Sequence, residues 1–250
     1  MEDSATLVDF YERAYSLDGS RAAEYARWRA LSAVGKSEHV IALCGKAGIE
    51  PANTLDVGCG DGALLRELSR AGFGGELAGM EISEPAAEIA RRDGPGASIG
   101  LFDGERLPLE DGSYELGVLS HVLEHVPDPA ALLAEVARVC RAVVFEVPLE
   151  ANLSALRGVK REHAVEIGHL QRLGRSSARR IAKGAGLRVA AELQDPLPLE
   201  VHRFFAGPGR ARSVASAKWL TRASLSRVAP PLARRLFTVH YACLCVAPER

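Results

Sequence analysis

The sequence predicts an α/β protein built on a doubly wound, mostly parallel sheet of seven strands. Three observations lead to this fold class. Short apolar runs alternate with helical patterns from residue 53 onward. A glycine-rich turn follows the first run, and acidic residues follow successive runs. Strands separated by helices imply right-handed crossovers and a parallel sheet, whose ligands bind at the carboxyl ends of the strands.

The composition is that of an ordinary globular chain. Of the 250 residues, 47% are hydrophobic and 25% are charged, and the formal net charge is -1. These values exclude a disordered chain, a collagen-like fibre and a supercharged nucleic-acid binder. No apolar run approaches the ~20 residues of a membrane span. The first thirty residues lack a signal-peptide pattern, and five cysteines without CxxC spacing favour a reducing, cytoplasmic location.

Residues 1–48 are predicted to form an N-terminal helical lid. Apolar and aromatic residues recur there at helical spacing, with a break at Asp18-Gly19. Simple packing of the aromatic side chains onto the core would account for them. The alternative is a cover over a binding site, and its candidates are Tyr11, Tyr15, Tyr25 and Trp28.

Residues 49–150 are predicted to form the cofactor-binding core. Its strands are placed at 54–57, 76–82, 97–102, 114–120 and 142–147. Its helices are placed at 63–71, 84–92 and 130–140. Ser83 is a suitable N-cap for the helix at 84–92, and Pro85 is suited to its first turn.

Residues 151–250 are predicted to complete the sheet. A helix at 177–185 precedes a sixth strand at 187–193, and a seventh strand follows at 239–246. Two stretches, 149–176 and 196–236, do not fit the alternation. We expect both to cover the carboxyl edge of the sheet, where an acceptor would bind.

The near-zero net charge conceals an asymmetry. Residues 1–150 hold 13 Lys and Arg against 26 Asp and Glu, and residues 151–250 hold 18 against 6. The two parts either complement each other across an interface, or the basic part meets an anionic substrate. A helix at 211–228 with a basic face could also meet a membrane surface or nucleic acid.

Aromatic residues are sparse beside that basic helix. Interleaved aromatics for stacking on bases are missing, so we expect a small-molecule acceptor rather than nucleic acid. Phe204, Phe205 and Trp219 could instead line an apolar substrate pocket.

The glycine-rich turn reads LDVGCGDG at residues 55–62. As a bare pattern, Gly58-x-Gly60-x-x-Ala63 also matches the dinucleotide fingerprint. Asp56 and Asp61 argue against NAD, because a carboxylate there repels a pyrophosphate but attracts an ammonium or sulfonium group. A plain strand-to-helix turn would not need three glycines and two acids.

Further acids follow the next two strands. Glu81 closes the second strand, where its carboxylate could accept hydrogen bonds from both hydroxyls of a ribose. Asp103 follows the third strand, where it could meet the amino group of an adenine. Three acids at three successive strand ends favour a nucleoside ligand with a cationic group.

Together the motifs resemble those of a class I S-adenosylmethionine-dependent methyltransferase, in the small-molecule (type 11/12-like) group. The matching segments are LDVGCGDG (55–62), GMEIS (79–83), LFDGERLP (101–108) and YELGVLSHVLEHVPDP (114–129). The resemblance implies a Rossmann-like sheet with a reversed last strand. It also implies S-adenosyl-L-methionine as cofactor and S-adenosyl-L-homocysteine as product.

The resemblance also implies roles for individual residues. Asp56, Gly58 and Gly60 would contact the methionine part, and Glu81 would bind the ribose. Asp103 and Gly104 would face the adenine. The full set expected to bind the cofactor is Tyr25, Asp56, Gly58, Cys59, Gly60, Glu81, Ile82, Asp103, Gly104, Ser120 and His121.

A second group of polar residues follows the fourth strand. If a helix begins at Ser120, then His121, Glu124 and His125 share one of its faces. They could include a general base, for which His125 and His169 are the candidates, or part of a metal site.

A metal site there would be completed by His163 or His169. Related methyltransferases with Glu-x-x-Glu-His and a downstream His resemble such a case. Here His121 replaces the first Glu, which counts against a divalent metal ion. A purely structural pairing of Glu124 and His125 is the third alternative.

The predicted function is S-adenosylmethionine-dependent methyl transfer to an oxygen or nitrogen of a small molecule, for example an anionic compound or a natural-product intermediate. Holding the acceptor in line with the S–CH3 bond could supply most of the acceleration. The alternatives are a nucleic-acid or protein methyltransferase that uses the basic part, and a cofactor-binding protein without transferase activity.

Overall fold

The computed structural model describes residues 8–9, 11–13, 15–16, 19–156, 167–204, 206 and 209–247. Seven strands form one sheet in the order β3-β2-β1-β4-β5-β7-β6. The strands are β1 (Asn53–Val57), β2 (Glu76–Glu81), β3 (Ser98–Leu101), β4 (Tyr114–Ser120), β5 (Cys140–Pro148), β6 (Arg188–Asp195) and β7 (His240–Val246).

The sheet is parallel except at its last strand. The ladders from β3 through β5 are parallel. Strand β7 runs antiparallel to both β5 and β6. The fold class and the reversed last strand are therefore confirmed, and each predicted strand limit lies within two residues of the observed one.

Eight helices with defined limits surround the sheet in the described part of the chain. They are α1 (Gly19–Ala47), α2 (Ala63–Arg70), α3 (Glu84–Asp93), α4 (Pro129–Val139), α5 (Arg175–Gly184), α6 (Leu199–Phe204), α7 (Arg210–Val228) and α8 (Pro230–Leu236). As predicted, Ser83 Oγ caps α3 by accepting from the Ala86 amide. None of the described helices is long and apolar enough to cross a bilayer.

Alternate residues of the central strands bury against two apolar layers. Leu119 and Phe145 belong to one layer with α4, whereas Leu116 and Val144 belong to the other with α1 and α2. A parallel sheet covered on both faces requires apolar residues in both positions of the alternation.

The second half of α1 is part of this core. Val40, Leu43 and Cys44 are at most 2% exposed and pack with α2 and the central strands. Within the predicted lid, residues 33–47 are therefore a structural layer of the fold. The division into lid and core remains a prediction for the residues that precede them.

The predicted helix at the end of β4 is wrong. Residues 121–127 form a series of turns, and His121 has a positive φ of 61°. This backbone conformation cannot continue a right-handed helix. His121, Glu124 and His125 therefore do not share one helical face.

The two stretches outside the alternation contain short helices. A 3-10 turn at Leu153–Leu156 follows β5, and α6, α7 and α8 lie between β6 and β7. The predicted basic helix at 211–228 corresponds to α7. It is poorly amphipathic, because Ser226 is its one buried side chain and Leu220 is 57% exposed.

Candidate active site

The glycine turn after β1 is closely surrounded. Gly58 and Gly60 have φ values of 74° and 56°, which favour glycine. A Cβ on Gly58 would lie 2.7 Å from Val122 Cγ2, and one on Gly60 would lie 2.5 Å from the Tyr15 hydroxyl. The turn thus lies between the segment after β4 and a tyrosine near the N-terminus.

Glu81 connects the end of β2 to this turn. Its Oε2 accepts a hydrogen bond from the Gly60 amide at 2.7 Å. Its Oε1 accepts from the amides of Ile82 and Ser83 at 2.9 and 3.0 Å. Burial raises the pKa of Glu81, and the backbone hydrogen bonds oppose that rise. Because a carboxylate offers about four acceptor positions, Glu81 can still receive a ligand hydroxyl.

The two acids of the turn have different surroundings. Asp56 is 2% exposed, and burial together with the nearby Glu81 raises its pKa to about 7 despite Lys36. Asp61 forms an ion pair with Arg29 at 2.6 Å and accepts from the Ala63 amide at the start of α2. Asp61 is thus paired within the protein, by Arg29.

Asp103 lies beyond the end of β3 and is exposed. Its Oδ1 accepts from the amides of Glu105 and Arg106 at 2.9 and 2.6 Å, and these hydrogen bonds lower its pKa. Ile82 Cγ2 lies 3.6 Å from where a Cβ of Gly104 would be. The structure therefore places Ile82 beside Gly104, one of the two residues expected to face an adenine.

Two of the four aromatic lid candidates reach the site. The Tyr15 hydroxyl lies over Gly60, and the Arg29 guanidinium lies 4.7 Å from the centre of the Tyr15 ring. Tyr11 packs edge-on against His125, with ring centres 5.7 Å apart. Tyr25, in contrast, is 36% exposed on α1. Burial raises the pKa of both Tyr11 and Tyr15, so both hydroxyls stay protonated.

Ser120 closes β4 beside these residues, and its buried Oγ has no protein partner. The turns that follow divide the predicted polar group in two. Glu124, His125 and His169 each offer one ligand atom, all within 4.8 Å of one another. His121 lies in a different group with Glu146 and His240. The metal set considered as an alternative, His121, Glu124, His125 and His169, is therefore divided between two groups.

The group around Glu146 was missed by sequence reasoning. His39 of α1 lies between Glu146 and Asp195, at 2.9 and 2.8 Å. Burial alone would lower the pKa of His39, but these two hydrogen bonds raise it to about 10. Hydrogen bonds from His121, His240 and His39 hold the pKa of Glu146 well below its ordinary value despite burial. A charged residue inside an apolar strand was the available signal.

His169 and His125 are held with defined tautomers. His169 Nδ1 lies 2.8 Å from Glu150 Oε2, and His125 Nδ1 lies 3.1 Å from the Gly168 carbonyl. A ring nitrogen that faces an oxygen acceptor carries the proton, which leaves Nε2 unprotonated in the neutral ring. Burial lowers the pKa of His125 to about 4, although Glu124 opposes the shift.

Some of the basic charge after residue 150 is paired locally. Arg175 and Arg179 pair with Glu192, and Arg203 and Arg212 pair with Glu200.

The apolar residues proposed to line a pocket are only partly described. Trp219 Nε1 donates to the Leu197 carbonyl at 2.8 Å, which attaches α7 to the segment after β6. The Arg27 guanidinium lies 5.9 Å from the centre of the Phe204 ring. Phe205 and His163 lie outside the described residues.

Comparison with known proteins agrees with this arrangement. Residues 55–143 match the family model described as a methyltransferase domain. An uncharacterised 37.1 kDa protein in a transposon of Streptomyces fradiae is 42% identical over 93 residues, which are 36% of this chain and 27% of that protein. A ubiquinone biosynthesis O-methyltransferase of Thiobacillus denitrificans is 37% identical over 95 residues, which are 35% of this chain and 39% of that enzyme.

The matched region is thus well under half the length of those curated relatives. Among solved structures, phosphoethanolamine N-methyltransferase 2 of Haemonchus contortus has a TM-score of 0.64 at 14% identity, covering 97% of this chain and 60% of that one. At this identity the likeness shows the fold. Residues 55–143 are thus similar in sequence to a methyltransferase domain, and the sheet order agrees with the fold of the solved methyltransferase.

Proposed function

We propose that this protein transfers the methyl group of S-adenosylmethionine to an oxygen or nitrogen of a small molecule. The observation that carries the proposal is the carboxyl edge of β1, β2 and β3. Asp56, Glu81 and Asp103 lie at the ends of these three neighbouring strands, around a turn of positive-φ glycines. Such an edge suits a nucleoside with a cationic tail better than a pyrophosphate.

Each acid has a role that follows from its surroundings. Buried Asp56 attracts the ammonium group of the methionine part. Glu81, held by three backbone amides, accepts from the ribose hydroxyls. Asp103 accepts from the adenine amino group with the oxygen that its own loop does not use.

His169 is the proposed general base, with Glu150 as its positioning residue. The 2.8 Å contact at Nδ1 fixes the ring with Nε2 free to take a proton. A hydroxyl acceptor would pass its proton to that nitrogen while its oxygen bonds to the methyl carbon. The S–C bond breaks with its electrons on sulfur, which leaves neutral S-adenosylhomocysteine. His125 is the second candidate, but burial lowers its pKa to about 4, which makes it a poor base at neutral pH.

Tyr11 and Tyr15 are proposed to form the cover of the reaction site. They lie over His125 and Gly60, one on the acceptor side and one on the cofactor side. A cover of this kind excludes water from the electrophilic methyl group.

The cofactor assignment is tested by calorimetric titration with S-adenosylhomocysteine and, separately, with NAD. We expect saturable binding of the first ligand and none of the second. Asp56→Ala and Glu81→Ala should each abolish the binding of S-adenosylhomocysteine. Glu76→Ala is the matched control, because Glu76 is an exposed acid at the opposite end of β2. Preference for NAD, or unchanged binding in both variants, would overturn the proposal.

A further inference from the structure

Three potential ligand atoms from distant parts of the chain converge where the carboxyl ends of β4 and β5 meet the first residue of the antiparallel β7. His121 Nε2 lies 2.9 Å from His240 Nδ1. Glu146 Oε1 lies 3.3 Å from the first nitrogen and 3.4 Å from the second. Bonds of about 2.0–2.1 Å to a tetrahedral metal ion place neighbouring donor atoms roughly 3.3 Å apart. The three separations therefore approximate one face of a coordination tetrahedron.

The donor types match a metal that prefers nitrogen and oxygen ligands. Two imidazoles and one carboxylate bind Zn²⁺ or Fe²⁺ in proteins and leave coordination positions open. Magnesium and calcium prefer sites made of oxygen alone.

Two of these side chains contact further residues through the nitrogen or oxygen that is not in the three-atom group. His121 Nδ1 lies 3.0 Å from Glu124 Oε1, and the second oxygen of Glu146 lies 2.9 Å from His39 Nδ1. His39 is in turn held by Asp195 at 2.8 Å. Carboxylates that hold the far nitrogen of a histidine ligand are a regular feature of metal centres, because they fix its tautomer and ring orientation.

The backbone at this point is also unusual. His121 is one of two non-glycine residues with positive φ in the described part of the chain. Such a conformation is uncommon for a residue with a side chain and persists where the surroundings require it. The His121 ring contacts Glu146 and His240 through Nε2 and Glu124 through Nδ1.

We propose that His121, Glu146 and His240 bind one divalent transition-metal ion, beside the acceptor side of the site. This set is distinct from the neighbouring group of Glu124, His125 and His169, and its metal affinity does not depend on the proposed methyl transfer. The coordination positions that the three residues leave open would face outward from this edge of the sheet.

The test uses the full chain, stripped with a chelator and titrated with Zn²⁺. Elemental analysis should give one bound ion per chain, and Zn²⁺ should raise the melting temperature. His240→Ala should weaken Zn²⁺ binding at least roughly 100-fold, since even the loss of a residue that only holds a metal ligand in place costs roughly 10- to 100-fold. His125→Ala and His169→Ala are the matched controls and should retain the ion.

A second variant distinguishes the loss of a metal ligand from misfolding of His240→Ala. His240→Cys keeps a ligand at the same place, so the Co²⁺-loaded variant should show a thiolate-to-cobalt charge-transfer band that the wild type lacks. Loss of the ion in His125→Ala or His169→Ala, with retention in His240→Ala, would assign it to the other group and overturn the proposal. Absence of Zn²⁺ binding, or preference for Mg²⁺, would also overturn it.

Discussion

One edge of the sheet carries both groups of polar residues, and its two halves are built in different ways. The first half consists of the ends of β1, β2 and β3, and the second consists of the neighbouring ends of β4, β5 and β7. At β1, β2 and β3, the acids lie between residues 56 and 103, and Glu81 and Asp103 are held by backbone amides that are mostly within three residues in sequence. At β4, β5 and β7, the side chains hold one another across long separations, such as the 156 residues between His39 and Asp195. The first half depends on local turns, and the second depends on the whole topology.

The reversed last strand explains the second half. Because β7 runs antiparallel to β5, its first residue, His240, pairs with Pro148 at the end of β5. This pairing brings His240 beside Glu146. A buried network made this way is sensitive to single changes, because each removal leaves a charge without its partner.

The largest expected effect is therefore on stability in the second half. Glu146→Gln should lower the free energy of unfolding by about 1.5–3 kcal/mol, because the charged His39 keeps Asp195 but loses its hydrogen bond to a second carboxylate. Urea denaturation at neutral pH measures the change. Glu88→Gln, an exposed change on α3, is the control and should be neutral. Equal stability of the two variants would show that the network contributes little.

In the first half, the corresponding substitution should lower the affinity for the ligand. Glu81→Gln removes a charged acceptor of hydrogen bonds worth about 1.5–3 kcal/mol, so affinity for S-adenosylhomocysteine should fall roughly 10- to 100-fold. Calorimetry gives the dissociation constant. If Glu76→Gln lowered the affinity for S-adenosylhomocysteine by the same factor, the effect would not be specific to the carboxyl end of β2.

The first half should also respond to pH through Asp56. Its pKa of about 7 means that the carboxylate forms as the pH rises through neutrality. Affinity for the ammonium-bearing ligand should rise roughly 10-fold from pH 6 to pH 8, about 1.4 kcal/mol. Since the folded-state pKa lies above the unfolded value, the free protein should lose stability over the same interval. Asp56→Asn should flatten the affinity profile, and a slope that persists in this variant would assign the titration elsewhere.

The same contrast explains what the sequence could and could not predict. The glycine turn, Glu81 and Asp103 were placed correctly at or just after the ends of β1, β2 and β3, and their role in cofactor binding stays a prediction. His39, Glu146 and Asp195 were missed, since their meeting requires α1 to pack over β5 and β6. The shared face of His121 and His125 was wrong because one left-handed residue replaced the expected helix.

The smallest effect expected in the first half is at Asp103, which is exposed where Glu81 is buried. Asp103→Ala should weaken S-adenosylhomocysteine binding by about 0.5–1.5 kcal/mol, the net value of one ordinary hydrogen bond. The inosine analogue, which carries an oxo group in place of the adenine amino group, separates this contact from general damage to the loop. Wild type should bind that analogue more weakly than the natural product, and Asp103→Ala should bind the two about equally. If the variant lost affinity for both ligands by the same factor, Asp103 would be a loop-forming residue that holds the Glu105 and Arg106 amides, and the adenine contact would lie elsewhere.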